Sequence, residues 1–164
     1  MRLSLLPLIV AVAALPACGT TSASSADTLS EDALVSFQYL DASVPPQYHR
    51  SYELSVTASR SRLVVDSYGE VLADEQVPTS PEVWEALGTT LGQVTDLPAE
   101  AGPQGCTGGT VTSLTVLQGS DASVDVVLDE CAGENADSAA RVTEWIAPAL
   151  AQFPSIDQLA PEGP

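Results

Sequence analysis

At 164 residues, with 22 acidic side chains against five arginines and no lysine, the chain carries a net charge of −17, and 45% of its residues are hydrophobic. That length suits one compact domain rather than two, and the apolar share is enough to build a core. A charge of this sign and size repels phosphate backbones and anionic headgroups, so nucleic acid is not expected among its partners.

The first seventeen residues divide like an export signal. Arg2 sits beside the amino terminus, and residues 3 to 15, LSLLPLIVAVAAL, are apolar apart from Ser4 and a break at Pro7. Thirteen residues rising about 1.5 Å each reach about 20 Å, short of a hydrocarbon core about 30 Å thick, so the stretch is a signal and not a span. An ordinary secretory cleavage site wants small residues on both sides of a spacer, and here Ala17 is small but Leu15 is large. Leu15-Pro16-Ala17-Cys18 instead resembles the lipobox of bacterial lipoproteins. The resemblance implies that Cys18 receives a diacylglyceryl thioether and becomes the first residue of a mature chain held at the bacterial cell membrane, outside the cytoplasm. Two acyl chains suffice for stable anchoring, since each buried methylene contributes about 0.8 kcal/mol. Cleavage removes Arg2 and no acid, which leaves four arginines against 22 acids and a charge of −18.

In residues 18–33 the stretch after Cys18, GTTSASSADTLSED, is small and polar without apolar periodicity, and the segment reads as a flexible tether. A single domain is expected over residues 34–153. Val35, Phe37 and Tyr39 alternate with Ser36 and Gln38, the period-two signal of a strand with one wet face, and Pro45-Pro46 interrupts it. Tyr52, Leu54, Val56 and Ala58 alternate likewise, up to a turn at Ser59-Arg60-Ser61. Leu63-Val64-Val65 and Val71-Leu72-Ala73 follow on either side of Tyr68-Gly69-Glu70, so a meander of three or four antiparallel strands is predicted.

A helix is predicted from Ser80, which can cap, with Pro81 at the first helical position and Glu82 at the positive end of the dipole. Trp84, Leu87, Leu91 and Val94 give its apolar stripe, and it should end by Asp96-Leu97-Pro98. Gly88 and Gly92 weaken it by about 1 kcal/mol each and allow close backbone contact. Cys106 and Cys131 then bracket a hairpin with its turn at Gly119-Ser120. In that register the two cysteines lie nearly opposite at the open end. An oxidising compartment makes a Cys106–Cys131 disulfide the default once Cys18 is lipidated, contributing about 3 kcal/mol by closing its loop. After a loop at Ala132-Gly133-Glu134-Asn135, Asp137 or Ser138 is expected to cap a last helix carrying Val142, Trp145, Ile146, Ala149 and Phe153. Pro148 should kink that helix or start a new turn. Pro154, Pro161, Gly163 and Pro164 mark residues 154–164 as a flexible tail. The fold class predicted is α+β, an antiparallel sheet of a strand meander plus a disulfide-clipped hairpin, with two helices packed on one face.

Few residues carry a chemical signature. His49, the one histidine, follows Pro45-Pro46-Gln47-Tyr48 and reads as a surface residue in a connecting loop; no G-x-S-x-G elbow accompanies it. The acids Asp125, Asp129, Glu130, Glu134 and Asp137 depart from the twelve-residue calcium loop and read as a solvated charged face. Cys106-Thr107-Gly108-Gly109 is no phosphate cradle, because the frame and its lysine are missing. No cofactor, metal or catalytic set is therefore assigned. The expected function is a lipid-anchored, non-enzymatic binding or structural protein of the envelope, whose partner is another protein, a peptide or a wall component. The alternatives are a small secreted hydrolase using His49 and a protease-inhibitor-like protein. The second rests on residues 106 to 131, whose cysteine-bracketed hairpin after a helix resembles bacterial subtilisin-inhibitor-like proteins; those carry a second disulfide without a counterpart here, and no reactive site is carried over.

Overall fold

Six strands in the order β4-β3-β2-β1-β5-β6, all antiparallel to their neighbours, form one open sheet in the computed structural model, which describes residues 28–100, 108–131 and 133–163. The strands are β1 (Leu34–Leu40), β2 (Ser51–Val56), β3 (Ser61–Ser67), β4 (Glu70–Val77), β5 (Val111–Gln118) and β6 (Asp121–Asp129). The helices are α1 (Pro81–Thr89), α2 (Asn135–Leu150) and the single turn α3 (Ile156–Leu159), with a 3-10 turn at Leu91–Gln93. The α+β class and the four-strand meander agree with the alternation read from the sequence. The signal, Cys18 and Cys106 lie outside the described residues. No helix among the described residues is long and apolar enough to cross a membrane.

Register turns the alternation into rows that cross the sheet. Val77, Ser61, Val56, Val35, Val116 and Val124 make the first row, and Glu75, Leu63, Leu54, Phe37, Leu114 and Val126 the second. Ala73, Val65, Tyr52, Tyr39, Thr112 and Leu128 make the third. These rows share one face because every second side chain of a strand points the same way. The middle positions of the first two rows are buried, those of the third, Tyr52 and Tyr39, are half-buried, and Leu87, Leu91, Val142, Trp145, Ile146 and Ala149 close the core over the sheet. Helix α2 contacts α1, β5 and β6. The opposite face stays polar and wet, with Ser36, Gln38, Glu53, Ser55, Ser113, Thr115 and Asp125, and with Arg62 paired to Asp74 at 2.7 Å.

Several expected boundaries move. Ser80 caps α1 as predicted, its Oγ accepting from Val83 N at 3.2 Å. The helix nevertheless stops at Thr89, and Leu91 and Val94 reach the core from the 3-10 turn that follows. Gly88 does mediate a close approach: a Cβ there would stand 3.1 Å from Leu29 N, so Leu29 packs on α1 and Ala33 is buried. Leu29 and Ala33, in the segment expected to be tether, therefore belong to the folded domain. The hairpin turns at Gly119-Ser120, but the register shifts between Val116 and Leu117, so Val116 faces Val124 and Val111 faces Asp129. This bulge moves every pair nearer the open end by one residue from the predicted register.

The last helix begins earlier than predicted. Glu134 precedes Asn135 without a side-chain cap, and Asp137 and Ser138 lie within α2. Ser138 is instead turned inward, its Oγ donating to Pro98 O at 2.8 Å. The helix runs through Pro148 to Leu150. The segment expected as a free tail is docked: Ser155 and Gln158 form a capping box on α3, Ala160 is buried, and Gly163 N donates to Gln47 O at 3.2 Å. Arg50 holds this segment, donating from Nε to Ala160 O at 2.6 Å and from Nη2 to Pro161 O at 2.7 Å.

Candidate functional site

The strand directions give the domain two unlike ends. Residues 28–33, the β2–β3 turn and the β5–β6 turn gather where β1 begins; Leu40, Ser51, Asp129 and the loop 41–50 gather where it ends. His49, the Arg50 cleft and a groove beside α2 all belong to the second end.

His49 is not a surface residue. It is 5% exposed, because its ring lies under Tyr68, with centroids 3.9 Å apart and planes 23° from parallel. Tyr68 is held over it by a 2.6 Å bond from its hydroxyl to Val44 O. The ring's Nε2 lies 3.4 Å from Ser51 Oγ, and that oxygen already accepts from Asp41 N at 3.0 Å. Among the described residues His49 Nδ1 has no partner, while the Asp41 carboxylate accepts from the backbone N–H groups of Ala42 and Arg50 at 2.8 Å each. Serine, histidine and aspartate are thus neighbours, yet the acid does not orient the ring and the serine is buried. A triad requires that acid–imidazole bond and an open nucleophile.

A cleft of about 390 Å³ lies between Gln47, Arg50, Glu70, Leu72 and the docked tail. Its guanidinium is committed to carbonyls, those of His49 and Gln47 as well as of Ala160 and Pro161. Arg50 therefore fastens the tail and offers little to a ligand.

The groove beside α2 is the larger recess, about 500 Å³. Its floor is Tyr39, Tyr52 and Thr112 of the third row; its wall is the small-residue side of α2, with Ala136, Ala140, Thr143 and Ala147. Register places Tyr39 opposite Tyr52, and the rings stack at 5.3 Å and 30°, with Phe37 adding a third ring 5.8 Å from Tyr52. Glu130 stands at one side, accepting from Thr112 Oγ1 at 3.3 Å, and Glu144 comes from the helix. Burial first, then Tyr39, pushes the Tyr52 hydroxyl up to about 12, and burial with Asp41 and Glu130 raises Tyr39 as well. Both phenols are neutral at physiological pH.

The acids read as one charged face are dispersed. Asp125 accepts from Thr115 Oγ1 at 3.3 Å on the wet face, Asp129 accepts from Cys131 N at 3.0 Å, and Glu130 lines the groove. Among the described residues no group of three or more His, Cys, Asp or Glu is placed to hold a metal. Cys131 is half-buried. The groove escapes a reading of the sequence because Tyr39, Tyr52, Glu130 and Glu144 come together only through strand register and helix docking. The matched aromatic positions of adjacent strands are the one available signal. Neither protein-family models nor curated proteins show a match to this chain.

Proposed function

We propose that the protein is a lipid-anchored, extracytoplasmic binding lipoprotein that presents the groove beside α2 at the end of its domain remote from the anchor. The address rests on Leu15-Pro16-Ala17-Cys18 behind a thirteen-residue apolar run. The binding reading is carried by one observation, the concave, aromatic-floored groove with polar groups at its margin, which is the usual make-up of a ligand site. Polarity of the domain supports it: a lipid on Cys18 would lie toward the end where residue 28 enters, and Tyr39 is at the other end of β1. A Cys106–Cys131 disulfide is part of this reading, since an oxidising compartment favours it and lipidation consumes the third cysteine. A hydrolase built on His49 has less support, given its burial and its unpartnered Nδ1.

Intact-mass analysis of protein extracted from membranes tests the address: the expected chain starts at a diacylglyceryl-modified Cys18, and Cys18→Ala should leave the signal uncleaved and the protein without lipid. A photo-crosslinking side chain in place of Thr143 tests the groove in intact cells. A defined adduct from position 143 that is not formed from Gln38 on the wet face is expected. Equal capture from both positions would remove the groove from the reading.

A further inference from the structure

We propose that the groove beside α2 holds a small organic cation, an ammonium group with an apolar periphery, seated against Tyr39 and Tyr52 and balanced by Glu130 and Glu144. The proposal rests on the binding reading above and names the class of ligand. Its floor carries the stacked rings of Tyr39 and Tyr52, whose π faces attract cations, and more strongly so when water is excluded. Its two carboxylates come from different elements, Glu130 from the end of β6 and Glu144 from α2. Among the described residues neither carboxylate forms an ion pair. Arg62 is paired with Asp74, Arg50 is bonded to carbonyls, and among the described residues Arg60 and Arg141 form no ion pair.

The other ligand classes fit less well. An anion would meet two carboxylates and a strongly negative domain. A hard metal ion wants six or more oxygens, and this floor is aromatic. An uncharged apolar ligand would strip water from the carboxylates without replacing it. A quaternary or alkylated ammonium satisfies both parts at once: its alkyl groups meet the rings and its diffuse charge meets the acids. The wall of alanines leaves room for that bulk, and the recess is of small-molecule size.

Choline and its uncharged tert-butyl isostere are the probes, titrated into the full lipidated chain in maltoside micelles. Calorimetry gives affinities, and the ring resonances of Tyr39 and Tyr52 report the place. Choline is expected to bind about tenfold or more tighter than the isostere, to shift both tyrosines, and to weaken as salt is raised. The double variant Glu130→Gln with Glu144→Gln should abolish that preference by weakening choline. Its fold is safe, because the amide oxygen introduced by Glu130→Gln still accepts from Thr112 and Glu144 is exposed on α2. Equal affinity for the two probes, binding without the tyrosine shifts, or a preference that survives the double variant would overturn the proposal. If neither probe binds while the crosslink from position 143 still forms, the cation is wrong and the binding reading stands; loss of both defeats both.

Discussion

Asn135 and His49 are both buried polar side chains at the same end of the sheet, and they are treated in opposite ways. Asn135, with no exposed surface, donates from Nδ2 to Glu100 O and Asp129 O at 2.9 Å each and accepts from Glu100 N at 2.8 Å. It ties the start of α2 to the end of β6 and to the segment before the hairpin. Among the described residues His49 has one long contact with a hydroxyl and one ring nitrogen without a partner. A buried polar group stabilises only where its desolvation is matched by bonds, so Asn135 contributes through polarity and His49 through the packing of its ring on Tyr68.

The largest effect expected from this contrast is at Asn135. Asn135→Ala removes three bonds made in a dry site and should cost about 2–3 kcal/mol, read from urea denaturation. Asn135→Asp should rescue little, because it loses both donated bonds. A loss below that of an ordinary surface substitution would break the comparison at its satisfied side.

Arg50 extends the satisfied class to a charged group, since its guanidinium donates to four carbonyls, two of them in the docked tail. Its partial exposure lowers the stake. Arg50→Gln should cost about 1–2 kcal/mol and raise amide exchange selectively over residues 156–163. Unchanged exchange there would mean that the apolar contacts of Ile156 and Leu159 alone hold the segment.

How much of this is legible in the sequence follows from the range of each interaction. The alternation in β1 and β2 and the Ser80-Pro81 start of α1 are local, and both are found where the residues place them. The tail reads as free because Pro154 and Pro161 do end a helix, while the forces that dock the segment come from Arg50, more than a hundred residues away. The capping box of Ser155 and Gln158 is a local sign of order there. Asn135 reads as loop because asparagine favours turns and its partners, Glu100 and Asp129, are brought to it by the fold. The groove needs the register of β1 with β2 and the placing of α2, neither of which alternation specifies. Burial of His49 depends on Tyr68, brought over it by the β3–β4 turn, where Tyr68 and Gly69 both take positive φ.

Tyr52 is intermediate, a phenol half-covered in the third row. Its acidity is pushed from 10.0 up to about 12 by burial. The folded state therefore holds the proton more tightly than the unfolded chain does. The resulting stabilisation is complete below about pH 10 and is lost as pH rises from there through about 12. Denaturation midpoints should fall over that window, in step with phenolate absorbance, and Tyr52→Phe should flatten the fall. A slope unchanged in the variant would place the alkaline sensitivity elsewhere.

The smallest effect is expected at His49, and it is the sharpest test of the contrast. His49→Phe keeps an aromatic ring under Tyr68 and deletes a nitrogen that makes no bond, at the expense of one long contact to Ser51 Oγ, which retains its bond from Asp41 N. Replacing a poorly satisfied buried polar group by an apolar one of similar shape is close to neutral, so stability should stay within about 0.5 kcal/mol of the parent or rise. His49→Ala, which also empties the space beneath Tyr68, should cost more than His49→Phe, and the difference between the two isolates the ring contact. Were His49→Phe to cost as much as Asn135→Ala, His49 Nδ1 would have to be bonded in solution, through a buried water, and the two centres would be alike after all.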